Sequence, residues 1–119
     1  DMLFPSTACF VQKNIGAEKT ASFDISAACS GFIYGLSIAD AYIKNGVYRT
    51  VLLIGAEALS RIIDWQDRNT CVLFGDGAGA VVLRQSKCGS GILSNYLGAD
   101  GSGTDLLKLQ TGGSRLPAS

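Results

Sequence analysis

A chain of 119 residues forms one domain or part of one, with room for a core but not a large one, because a chain this size buries roughly two-thirds of its unfolded surface. Hydrophobic residues make up 47% and charged residues 17%, a balance that argues against disorder. Ten basic side chains offset ten acidic ones, with no basic run, no apolar stretch of membrane-spanning length and no signal-peptide pattern, so neither a nucleic-acid partner nor a membrane is expected.

Phe4-Pro5-Ser6-Thr7 reads as the start of a helix over residues 7 to 14, stopped by Gly16. Cys9 lies on it among Ala8, Phe10 and Val11 and reads as a core residue. The run 21–25 has strand character. From residue 30 to about 45 follows a helix ending at Gly46. Its polar positions, Ser30, Ser37, Asp40, Lys44 and Asn45, form a narrow stripe, so the helix is expected to be covered on most sides. Val51-Leu52-Leu53-Ile54-Gly55 fits a strand buried on both faces. With the run 21–25 it predicts a right-handed β-α-β unit with parallel strands.

Cys29 then sits at a strand-to-helix turn, beyond the carboxyl end of its strand, where open α/β sheets place ligand sites. Unpaired N–H groups and the helix dipole favour negative charge there, which suits a thiolate nucleophile. Its neighbours Ala27, Ala28, Ser30 and Gly31 are small enough to let a substrate approach. Position alone leaves a second reading open, that of a buried structural cysteine.

Residues 56–70 gather Glu57, Arg61, Asp64, Asp67 and Arg68 around Trp65. Two readings apply, a solvated loop with weak surface ion pairs or a rim for a charged cofactor, and the residues alone favour the loop. The glycines of Gly75-Asp76-Gly77-Ala78-Gly79-Ala80 lead into a strand, Val81-Val82-Leu83-Arg84, rather than a helix, and no P-loop lysine is present, so close backbone packing explains them better than nucleotide binding. Further strands are expected at 92–97 and 106–109, with a turn-rich link between them. Cysteines stand at 9, 29, 71 and 88 without a C-x-x-C pair, and histidine is absent, so neither a metal site nor a disulfide framework is expected and a reducing cytoplasm fits. Asp1 in place of an initiator methionine, and the loop-like tail from Thr111 to Ser119, point to part of a longer protein. The apolar helix 30–45 and strand 51–55 need more cover than the chain supplies, so a well-behaved monomer is not expected.

Taken together, Phe4-Pro5-Ser6-Thr7-Ala8-Cys9, the block Asp24 to Phe32, Gly55-Ala56-Glu57, Asp67-Arg68-Asn69-Thr70 and the glycine motif at 75–80 resemble β-ketoacyl-[acyl-carrier-protein] synthase III. Five blocks in order and spacing cover nearly the whole chain. The resemblance implies an α/β thiolase-like fold, layered α-β-α-β-α in the parent and built of two similar halves. Residues 1–119 would form the later part of the first half plus some of the linking region: a partial mixed sheet around a buried central helix. It implies that Cys29 takes an acyl group from acetyl-CoA or a related short acyl-CoA, with its own N–H helping to form the oxyanion hole. Malonyl-acyl carrier protein then loses carbon dioxide and its carbanion attacks the thioester, starting fatty acid synthesis. Arg68 would contact the nucleotide end of coenzyme A. Phe4, Leu59 and Phe74 match acyl-pocket positions, Phe4 near a homodimer interface, and Gly75 to Gly79 are read as structural. Acyl-CoA is a substrate, and no permanently bound cofactor is implied. The histidine and asparagine that support decarboxylation come from the family's second half, and its early tryptophan and arginine lie upstream of Asp1, so the chain lacks part of the catalytic set. The alternatives are a related thiolase-fold enzyme (an HMG-CoA synthase, or a polyketide or quinolone starter synthase) and a non-catalytic dimerisation or scaffold fragment.

Overall fold

The computed structural model describes residues 3–118. Helix α1 spans Thr7–Asn14, and Gly16 follows it in the left-handed region at φ 68°, as a helix stop requires. An irregular, extended segment carries the chain to a single 3-10 turn at Ala28–Ser30, which runs directly into helix α2, Gly31–Lys44. Gly46, at φ 69°, ends α2 where expected. Asp40 and Lys44 of the narrow polar stripe pair at 2.7 Å, one helical turn apart.

Strand β1, Thr50–Ala58, contains the apolar run 51–55, and strand β2, Asp76–Arg84, contains most of the glycine motif. They pair antiparallel from Thr50 opposite Arg84 to Ala58 opposite Asp76, with Gly55 facing Gly79. α2 lies against β1. A Cβ on Gly35 would meet the end of the Leu53 side chain, so α2 and β1 approach closely here, and Phe32 closes over Gly55 in the same interface.

Several expectations are corrected. The run 21–25 is extended but joins no ladder, so the parallel β-α-β unit and the mixed sheet are replaced by a two-stranded antiparallel sheet. A groove of about 1150 Å³, lined by Ala21 to Ile25 on one side and Thr50 to Ile54 on the other, separates this run from β1. The two segments meet through side chains at Gly35, where Ile25 and Leu53 converge. α2 is half-covered rather than enclosed: only Gly35 and Ala39 are buried, and Ile33 stays 51% exposed, because the two-stranded sheet packs against one side of it. Gly75, Gly77 and Gly79 are not sites of close packing, since a Cβ at any of them meets no described atom within 4 Å.

Residues 92–97 and 106–109 form no strands, because no ladder partner lies beside them. The first run is instead tied to α2, with Lys44 Nζ donating to the Ile92 carbonyl and the Tyr34 hydroxyl to that of Gly98. Cys9 is half-buried rather than a core residue, and Cys71 is buried. Among the described residues no helix is long and apolar enough to cross a membrane.

Candidate functional site

Cys29 is exposed, which removes the reading of a buried structural cysteine. It occupies the middle of the 3-10 turn that feeds α2, two residues before the first helical residue. Ala28, just before it, is held at φ 46°, a left-handed conformation that costs an L-residue about 1–2 kcal/mol. Non-glycine residues in this region persist only where their surroundings hold them, and they gather at functional sites.

The segment leading to Cys29 is anchored at Asp24. The α1 N-terminus receives no side-chain bond from Ser6, its local cap residue. Instead Asp24 accepts from both leading amides, Thr7 N–H at 2.7 Å and Ala8 N–H at 2.9 Å. A carboxylate facing two N–H groups at a positive dipole end is a strong cap. Gln12 Nε2 donates to the Thr20 carbonyl at 2.7 Å and adds a second tie between α1 and the segment.

Arg68 stands on an ordered loop. Asp67 accepts from the Thr70 hydroxyl at 2.7 Å and the Asn69 N–H at 3.0 Å, and its carbonyl accepts from the Thr70 and Cys71 amides. The Thr70 hydroxyl first, then the Asn69 amide, hold the Asp67 carboxyl below the usual carboxylate range. Asp67 is thus committed to its own turn. Arg68 is exposed and has no carboxylate partner among the described residues, which leaves its guanidinium open to an anionic ligand.

Asp76 fixes the adjoining corner. It accepts from the Ser60 N–H at 2.8 Å and the Ser60 hydroxyl at 2.6 Å, while the Ser60 carbonyl accepts from the Trp65 indole. The Ser60 hydroxyl, then its amide, with the Arg61 charge adding, lower the Asp76 carboxyl against partial desolvation. The motif's structural role therefore rests on its aspartate, which clamps the turn Leu59–Arg61 to the start of β2.

Of the expected acyl-pocket residues, Leu59 and Phe74 lie at the same end of the sheet, beside the Ala58–Asp76 pair. Leu59 and Phe74 are half-buried, whereas Phe4 is 83% exposed. The groove beside β1 takes in Leu59 but not Cys29, Arg68, Phe4 or Phe74. Sequence reasoning missed Asp24 and Asp76 as anchors. Asp24 acts on a helix 16 and 17 residues away while a serine already occupies the local cap position, so nothing nearby in the sequence announces it. Cys88 is also exposed, and contacts with Ser86 and Ser90 hold its thiol below the ordinary value. Among the described residues no three His, Cys, Asp or Glu side chains converge as metal ligands.

The fold matches solved structures of thiolase-like condensing enzymes. That of 3-oxoacyl-[acyl-carrier-protein] synthase III from Aquifex aeolicus superimposes with a TM-score of 0.82 at 59% identity, over 85% of this chain and 33% of that one. A relative from Caldanaerobacter subterraneus, described as β-ketoacyl-[acyl-carrier-protein] synthase III, is 64% identical over all of this chain and 36% of its own length. One from Syntrophomonas wolfei with the same description is 56% identical over the same shares. The family model for 3-oxoacyl-[acyl-carrier-protein (ACP)] synthase III matches residues 23–101, and the chain belongs to that family. It spans little more than a third of the length of these curated relatives.

Proposed function

We propose that this chain carries the acyl-accepting part of a β-ketoacyl-[acyl-carrier-protein] synthase III, with Cys29 as the catalytic nucleophile. The supporting observation is its exposed sulfur in a turn at the head of α2, beside a left-handed alanine. The thiolate attacks the carbonyl of a short acyl-CoA, the Cys29 amide helps to stabilise the oxyanion, and collapse expels the coenzyme A thiolate, leaving an acyl-cysteine thioester. Arg68 binds the nucleotide end of the donor, and Leu59, Phe74 and Phe4 contribute to the acyl pocket once further chain or a partner completes it. Malonyl-acyl carrier protein then decarboxylates, and its carbanion takes the acyl group from the sulfur.

This chain contains no histidine, so the histidine and asparagine of the second step come from the part of the relatives it does not span. Loss of such an acid/base partner costs on the order of 10²- to 10⁴-fold. In this reading residues 1–119 are the later part of the first half with some of the linking region. The parent is a cytoplasmic homodimer with Phe4 near its interface; the exposure of Phe4 and the four free cysteines support this.

Incubation with acetyl-CoA followed by peptide mass mapping tests the reading. One acetyl group on Cys29, absent in Cys29→Ser, is the expected result. Acetyl groups only on other residues refute it, and no label together with concentration-dependent association favours a scaffold fragment.

A further inference from the structure

We propose that Asp24 is a positioning residue for Cys29, coupling the N-terminus of α1 to the turn that presents the sulfur; this rests on reading Cys29 as the acyl acceptor. The left-handed Ala28 must be held from both sides. Downstream it is held by α2, whose Gly35 and Phe32 seat the helix on Leu53 and Gly55 of β1. Upstream, Ile25 reaches the same Gly35–Leu53 contact. One residue earlier, the Asp24 carboxylate grips the Thr7 and Ala8 amides at 2.7 and 2.9 Å.

Asp24 and Ala28 are four residues apart, a tether of at most about 14 Å, so releasing the carboxylate leaves the upstream side of the strained turn to the Ile25 contact. Asp24 touches neither substrate nor sulfur. Its effect is on where the sulfur points. A misplacement of about 1 Å at a reacting atom costs on the order of 10²-fold in rate. The donor-binding Arg68 is fixed separately by the Asp67 turn, so donor affinity is not expected to depend on Asp24.

The test uses two proteins. The first is the 119-residue chain in a Cys88→Ser background, which removes the other exposed thiol. The second is a chimera in which this chain replaces its 64%-identical counterpart in the Caldanaerobacter subterraneus synthase. Single-turnover acetylation of Cys29 by acetyl-CoA is followed in both, and kcat and KM in the chimera. Asp24→Ala is expected to lower the acylation rate and kcat by about 10²-fold with KM for acetyl-CoA nearly unchanged. Asp24→Asn keeps one acceptor oxygen facing the helix and restores part of the rate.

The deciding variant is Ser6→Asp combined with Asp24→Ala. It gives α1 a local cap but does not rebuild the link to the cysteine segment. Thermal stability should recover while the rate stays low. Full recovery of the rate shows that Asp24 is only a helix cap and overturns the proposal, as does an Asp24→Ala protein with unchanged kcat. If Asp24→Ala fails to fold, the double variant and Asp24→Asn decide by the same rates. Absence of acetylation at Cys29 in the parent proteins instead overturns the nucleophile reading itself.

Discussion

Urea unfolding of the isolated 119-residue chain exposes how little of it is covered. An unfolded chain of 12.4 kDa exposes about 18,000 Å² and a compact monomer of that mass about 6,100 Å². The structure exposes 10083 Å², so folding buries about 44% of the unfolded surface where a compact domain buries about 66%. The denaturant slope m scales with surface exposed on unfolding, so it should reach only about two-thirds of the value for a compact domain of this size. The radius of gyration, 17.1 Å against about 13.5 Å for a compact chain of this length, points the same way. The assay is a urea titration by far-UV circular dichroism and Trp65 fluorescence, with light scattering after sizing chromatography. A shallow transition, dye binding to exposed apolar surface and association with rising concentration are expected. A monomer with a full-sized m value and a radius of gyration near 13.5 Å would refute the reasoning.

The Asp76 carboxyl is lowered by its bonds to Ser60, so its contribution is complete above the unfolded carboxylate value, about 3.9, and is lost as pH falls through the lower folded value. Because Trp65 is bonded to Ser60, its emission should report an acid transition of the turn Leu59–Arg61, and Asp76→Asn should remove that step; an unchanged acid profile contradicts the clamp. At Gly35, alanine gains about 1 kcal/mol of helix propensity and can displace the end of the Leu53 side chain, so Gly35→Ala should be near neutral. The stiffer Gly35→Val overpacks the α2–β1 contact and should cost about 1–3 kcal/mol, read from the urea midpoint. Arg68→Ala, tested in the chimera, should raise KM for acetyl-CoA while leaving kcat largely intact; the reverse pattern would move Arg68 from donor binding to the chemical step.

The sequence by itself determined the two helices, the strand β1 and the family. Helix periodicity with glycine stops located α1 and α2, the apolar run located β1, and five ordered blocks led to the synthase III family that the family match bears out. These signals are carried by neighbours a few residues apart, where backbone propensity and side-chain period decide the outcome. Only the tertiary structure decided the pairing. Strand character at 21–25 is a property of the chain alone, but a ladder needs a partner edge, and a groove stands between that run and β1. Likewise Asp24 reads as a residue of the cysteine block and Asp76 as part of a glycine loop, yet one caps a helix 16 and 17 residues away and the other clamps a turn 16 residues upstream. A carboxylate takes whichever N–H groups folding leaves unpaired beside it, and that is settled by proximity in space, which residue order does not encode locally.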